Sequence, residues 1–480
     1  MGREVHVMEQ IKLINDMVRA FVWGMPMLLL LLGTGVWFTV KTGWFQLRYI
    51  RLWLQKTLFS CFTGRARQGT DKGAISPFAS MCTALAATVG TGNIAGVATA
   101  LTIGGPGAVF WMWVSAFFGM MTAFAENTLG LLYRERGADG AWRGGPMLYL
   151  KNGLKSPFLA GMFAFCCMLA SFGIGNMSQC NSIAEGLSGT FGVPPLVTGL
   201  CTAAVLGAVM LGGLKRISRV TETLVPFMAL FYMGGAAIVL IVHRGGIGEA
   251  FSQILSCAFD WRAGVGGAAG YGMLRALSSG VSRGVFSNEA GLGSSVMVHA
   301  AADTKEPCEQ GMWAVFEVFF DTIIMCTVTA LVILASGVYD VGQYGAAAGT
   351  PILFRLATGA RLTSAAFSTV FGAWGGAFIA VSLALFAFST LLGWSYYGQR
   401  GVEYLFGARA VPVYKFLFVA MTVCGCTMEL SLAWELSDTF NGLMALPNLV
   451  GVLALSGQAL DEWKRYRRRL EPAGGKKYRK

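Results

Sequence analysis

The chain has 480 residues, of which 55% are hydrophobic and 13% charged, with a formal net charge of +12. Soluble domains carry about a quarter charged residues, so these values exclude an ordinary soluble fold and indicate a polytopic membrane protein. The positive charge does not argue for nucleic acid, because the basic residues gather in loops and in the tail, where the positive-inside effect and an anionic inner leaflet account for them.

The first apolar run, AFVWGMPMLLLLLGTGVWFTV (20–40), matches the roughly 20 residues that cross a bilayer. It is long for a signal-peptide core and lacks a basic leader and a cleavage site, so it reads as a retained span. Residues 41–76 follow, and WFQLRYIRLWLQKTLF within them suits a helix lying in the membrane interface. Ten further spans are expected near 77–103, 107–133, 157–185, 195–213, 220–242, 263–300, 311–337, 363–397, 412–429 and 432–458. Eleven spans and a cytoplasmic tail put the N-terminus outside. Of the 37 Lys and Arg, 27 then fall in the segments 41–76, 134–156, 214–219, 301–310, 398–411 and 459–480, all inside, against 7 in the outside segments. The eleven cysteines show no CxxC and read as small buried hydrophobes, and His6, His243 and His299 form no ligand-spaced cluster.

Two spans are interrupted in similar language. Span 2 contains ATVGTGNIAGVATAL (87–101) and span 7 contains RGVFSNEAGLGSSV (283–296), sharing Asn-x-Ala-Gly at Asn93–Gly96 and Asn288–Gly291. Each is followed by Pro, then Trp, then Val-x-x-x-Phe, in GGPGAVFWMWVSAFF and KEPCEQGMWAVFEVFF. Without the first span, two sets of five remain, and an odd repeat length inverts the second set. That is an inverted repeat, a plan common among secondary transporters. Breaking a helix in hydrocarbon strands polar backbone groups at several kcal/mol each, so a break survives only against protein or a polar cavity. Freed N–H groups suit a carboxylate and freed carbonyls suit a cation. The expected division is 1–76, with the extra span and interfacial helix; 77–242, the first repeat; 243–458, the second; and 459–480, the basic tail.

The stretches ATVGTGNIAGVATAL, GGPGAVFWMWVSAFFGMMTAFAE, RGGPMLYL, SRGVFSNEAGLGS and FAFSTLLGWSYYG resemble the alanine or glycine:cation symporter family, also called sodium:alanine symporters. The likeness runs from about residue 20 to 455. It implies an all-α, LeuT-type 5+5 fold (spans 2–6 and 7–11) with one extra N-terminal helix, in a bacterial cytoplasmic membrane. It implies a functional monomer that imports a small neutral amino acid, alanine or glycine, with Na⁺ or H⁺. No cofactor is implied, since Na⁺ is cargo. By the same resemblance Thr91, Gly92, Asn93, Gln179, Phe286, Thr390 and Trp394 would surround the amino acid. The Trp394 indole would shorten the cavity. Na⁺ would be held by the Thr88, Thr91 and Phe386 backbone and the Ser389 and Thr390 hydroxyls, five neutral oxygens that suit a monovalent cation.

Charges inside spans are functional candidates by default. Glu289 and Arg283 lie close enough in sequence to pair, gate or carry a proton. Glu317 and Asp321, one turn apart, are placed to share a cation or proton. Glu126 reads as reaching the interface, Glu435 and Asp438 as structural, and Ser382 as bonded to its own helix. A channel or sensor on the same fold is the alternative class. HExxH and Walker A motifs are missing from the sequence, which disfavours a zinc enzyme of that type or an ATP-driven pump.

Overall fold

The computed structural model describes residues 2–64, 71–259, 269–339, 359–428 and 431–470. The first residues of the seventh expected span, residues 340–358 and the last ten of the tail lie outside this set. The helices in chain order are α1 (Gly2–Val22), α2 (Met25–Lys41), α3 (Ile50–Lys56), α4 (Pro77–Thr88), α5 (Val97–Gly104), α6 (Gly107–Leu132), α7 (Pro157–Phe172), α8 (Ser178–Phe191), α9 (Pro195–Leu211) and α10 (Gly213–Val242). They continue as α11 (Ile247–Ala258), α12 (Ala269–Asn288), α13 (Val296–His299), α14 (Pro307–Val318), α15 (Thr327–Ala335), α16 (Ala360–Phe371), α17 (Trp374–Phe406), α18 (Val411–Thr427), α19 (Ser431–Ala454) and α20 (Ser456–Leu470). Local chemistry sets several starts. Ser76 accepts from Ala79 N–H ahead of Pro77, and Ser156 accepts from Leu159 N–H ahead of Pro157. In each case a hydroxyl satisfies a free N–H, and proline takes the position where no N–H is needed.

Among the described residues, seven helices are long and apolar enough to cross a membrane, or nine if each of two bent pairs counts once. Two of the eleven expected spans fall short. Residues 195–213 hold the 17-residue α9. Residues 263–300 hold α12 and then α13, separated by a turn that three alternate positive-φ positions, Glu289, Gly291 and Gly293, fold out of helix. The expected loop 214–219 instead lies within the first two turns of α10. The expected ninth span is two helices, because Gly372 (φ +56°) ends α16 before α17 begins. The interfacial helix is three short pieces, Phe45–Arg48, Ile50–Lys56 and Leu58–Phe62.

The six segments expected inside meet one another at one end of the bundle. Asp71 pairs with Arg136, and Lys215 Nζ donates to the Lys72 carbonyl at 2.6 Å. Ile75 forms a parallel bridge with Ala302, Arg143 pairs with Glu403 at 2.9 Å, and Arg469 with Glu306 at 2.5 Å. A small antiparallel ladder joins Glu135 to Arg143 and Arg136 to Trp142. Asp71, bonded by the Gly73 N–H and the Trp142 indole, is held below the usual carboxylate range. The basic tail is not loose there. Its helix α20 buries Trp463 edge-on to Phe45 and Tyr49, with ring centroids 4.8 and 5.0 Å away. Tyr466 donates to Glu309 at 3.0 Å, and Lys56 pairs with the same oxygen at 2.6 Å.

At the centre, α6 packs against α12 and α14, and α17 packs against α7, α8 and α10. The interrupted pair α4/α5 joins these groups, α4 against α17 and α5 against α12.

Candidate functional site

The chain α4/α5 bends by 50°. Val89 and Gly90 leave helical geometry, and Gly92–Gly96 resumes as a wide π-turn. The freed backbone groups find partners inside the protein, as burial demands. Asn93 Oδ1 accepts the Gly90 N–H at 3.0 Å, and Thr363 of α16 donates to the Ile94 carbonyl at 3.1 Å.

Gly90 is the point of closest approach. A Cβ there would lie 2.5 Å from Thr390 Oγ1 and 3.8 Å from Gln179 Oε1. A Cβ on Gly92 would meet Ser287 at 3.4 Å and the Phe286 ring at 3.6 Å. The two breaks therefore face each other, with α17 and the α7–α8 turn closing the sides. Thr91, Asn93, Gln179, Thr390 and Trp394 are all buried, and Phe286 is half-buried under the Arg283 guanidinium, 5.6 Å from its ring. Gln179 Nε2 donates to the Ile174 carbonyl at 3.0 Å, while its buried Oε1 accepts no hydrogen bond from the described residues.

Beside this, Ser389 Oγ stands 2.8 Å from the Phe386 carbonyl, 3.1 Å from that of Ala86 and 3.5 Å from that of Val89. Thr390 Oγ1 adds a contact of 3.1 Å to the Phe386 carbonyl. One serine hydrogen faces three carbonyl oxygens, so acceptors exceed donors. The carbonyls against Ser389 from the first interrupted helix belong to Ala86 and Val89, each two residues before the Thr88 and Thr91 that the resemblance implied. The Thr88 hydroxyl turns back to its own helix at the Ala84 carbonyl, 3.4 Å away.

The buried carboxylates separate. Asp321 joins the two breaks: its Oδ1 accepts Asn93 Nδ2 at 2.7 Å, and its Oδ2 accepts Ser287 and Thr322 hydroxyls, both at 2.8 Å. Glu317 instead meets His299 Nε2 at 2.9 Å, and Gln310 meets the other ring nitrogen at 2.5 Å. Glu317 and Asp321 therefore bond to different partners, Glu317 to His299 and Asp321 to the two breaks. Glu289 does not pair with Arg283, which lies towards Asp438 and Arg19. It accepts the Trp394 indole N–H at 2.9 Å and the Ser294 hydroxyl, from a left-handed backbone (φ +55°) that costs a side-chain-bearing residue about 1–2 kcal/mol. Glu126 does not reach an interface either. It is 1% exposed and accepts from Asn448 and, at 3.4 Å, from the Gly291 N–H. Ser382 bonds the Phe378 carbonyl of its own helix at 2.8 Å.

Sequence reasoning missed Gly90, Gly175, Ser287, His299 and Asn448. Gly90 sat inside the quoted motif, and its small size was the available signal. The others are ordinary residues whose partners are remote in the chain.

A sequence model of the "Sodium:alanine symporter family" matches residues 8–479. The chain is 45% identical over 463 residues to the sodium/alanine symporter AgcS of Methanococcus maripaludis, covering 96% of this chain and 98% of that one. It is 36% identical to the putative sodium/proton-dependent alanine carrier protein YrbD of Bacillus subtilis, covering 94% and 91%. Its fold is similar to that of a manganese transporter of Eremococcus coleocola, with TM-score 0.52 and 15% identity, covering 80% and 78%. The chain belongs to the sodium:alanine symporter family, whose members are membrane transporters and not enzymes.

Proposed function

We propose that this protein is a secondary active symporter that imports a small neutral amino acid, alanine or glycine, together with Na⁺ by alternating access. The observation that carries the reading is the surplus of oxygens at Ser389. Carbonyls of Ala86, Val89 and Phe386 with the hydroxyls of Ser389 and Thr390 form a neutral shell of the kind a monovalent hard cation takes. The amino acid lies next to it, around Gly90 and Gly92. Its carboxylate takes the backbone N–H groups of the first break at Thr91 and Gly92, and its ammonium meets the unpartnered Gln179 Oε1. Phe286 closes one side and Trp394 limits length.

The scaffold is a LeuT-type pair of inverted five-span repeats with an additional first helix, working as a monomer. The basic end is cytoplasmic, which puts the N-terminus outside in a cytoplasmic membrane. A second reading, coupling to H⁺, is favoured by Asp321, a buried carboxylate bonded by neutral groups from both breaks. A proton there would replace one accepted hydrogen bond and loosen one break from the other.

Uptake of labelled alanine by proteoliposomes separates the readings. Concentrative uptake driven by an inward Na⁺ gradient alone supports the Ser389 shell. Uptake driven by an H⁺ gradient alone moves coupling to Asp321. An equal alanine affinity with and without Na⁺, at every pH, overturns both.

A further inference from the structure

Glu289 is buried and stands outside the ligand shells proposed above. Its backbone is left-handed, as are Gly291 and Gly293 just beyond it. Glycine adopts that conformation freely, so a carboxylate at this position points to work for the side chain. Its contacts define the work. One oxygen takes the indole N–H of Trp394, 105 residues away, and the other takes the hydroxyl of Ser294 on the far side of the break.

Trp394 is 1% exposed and is braced from other directions as well. A Cβ on Gly175 would fall 2.5 Å from Trp394 Cβ, so the π-turn Gly173–Met177 lies directly on the indole. Tyr397 meets the ring edge-on at 5.5 Å. Ile174, in the same turn, holds the Gln179 amide. The indole, the Gln179 carboxamide and the second break are thus one mechanically connected group.

Resting on the symporter reading, we propose that Glu289 is a positioning residue that sets the largest substrate side chain admitted. Its carboxylate fixes the indole, so a side chain longer than a methyl meets a wall unable to turn aside. A yielding pocket discriminates poorly against an added methylene, and a fixed wall discriminates more.

The test is alanine uptake by proteoliposomes of the full chain, competed with glycine, 2-aminobutyrate and valine. In E289A the inhibition constant of 2-aminobutyrate relative to the KM for alanine is expected to fall at least tenfold, with KM moving more than the maximal rate. E289Q keeps an oxygen for the indole N–H and is expected to retain the unsubstituted ratio. W394F, which lacks the N–H, is expected to lower the ratio, and E289A added to W394F to change it no further. An E289A protein that keeps the ratio overturns the proposal, as does an E289Q protein that loses it. Should E289A fail to fold, W394F decides: an unchanged ratio there overturns the proposal too. The symporter reading is checked first on the unsubstituted chain. If that chain takes up none of these amino acids under a Na⁺ or an H⁺ gradient, both readings fall together.

Discussion

At the residue scale, Gly90 and Ser389 give the sharpest predictions. Adding one methyl at Gly90 puts a carbon 2.5 Å from Thr390 Oγ1, inside both the proposed substrate and cation shells. Gly90→Ala is expected to abolish at least nine-tenths of alanine uptake while leaving a monodisperse protein, which size-exclusion chromatography of the purified variant checks. Ser389→Ala removes one oxygen from the shell and leaves three carbonyls facing a methyl. It is expected to raise the Na⁺ concentration for half-maximal uptake about tenfold, equivalent to ~1.4 kcal/mol, with less effect on maximal rate. A Na⁺ dependence unchanged by Ser389→Ala would remove the shell from the mechanism. The roles of these residues were legible in unequal measure. Asn93 and the glycines announce themselves by being small or polar in apolar sequence, whereas Thr390 came only from the family resemblance. The pairing of Glu289 with Trp394, or of Glu317 with His299, depends on which helix faces which, and one sequence does not encode that locally.

At the scale of elements, the two interruptions were readable because glycine joins asparagine and threonine or serine in the same short stretch of apolar sequence at each of them. Their consequences were less readable. Hydropathy counts apolar residues, so it joined α16 to α17 across Gly372 and assigned most of α20 to a basic tail. The charged face of α20 hides an anchoring side: Trp463, Tyr466 and Glu462 are buried. Trp463→Ala empties a site walled by Phe45, Tyr49 and Phe124. Large aromatic truncations in packed sites cost about 3–5 kcal/mol, so the variant is expected to unfold at a clearly lower temperature in detergent. A thermal transition unmoved by Trp463→Ala would show that α20 contributes little to the fold.

For the molecule as a whole, the symporter reading demands reciprocity. If Na⁺ and alanine share one central site, each must raise the other's affinity by the same factor. Calorimetric titration of alanine at low and saturating Na⁺, and of Na⁺ at low and saturating alanine, is expected to return equal ratios. Unequal ratios would mean that the titrations report different conformational mixtures, and independent affinities would contradict a shared site. The charge asymmetry of the loops was legible in the sequence, and the six segments it assigns to one side do contact one another.

The bridge between Ile75 and Ala302 bears on how such a molecule moves. Ile75 N–H donates to the Ala301 carbonyl at 3.0 Å, and Asp303 N–H donates to that of Ile75 at 2.8 Å. This stitch lies just before α4 and just after α13, where both interrupted helices reach the basic end. It is sewn with main-chain atoms, so no exchange of side chains along those segments unpicks it, apart from a proline at 75 or 303, which would withhold an N–H. In the proposed alternating access, the two breaks therefore have their basic ends tied to one another, and for as long as the stitch holds neither end can shift without the other.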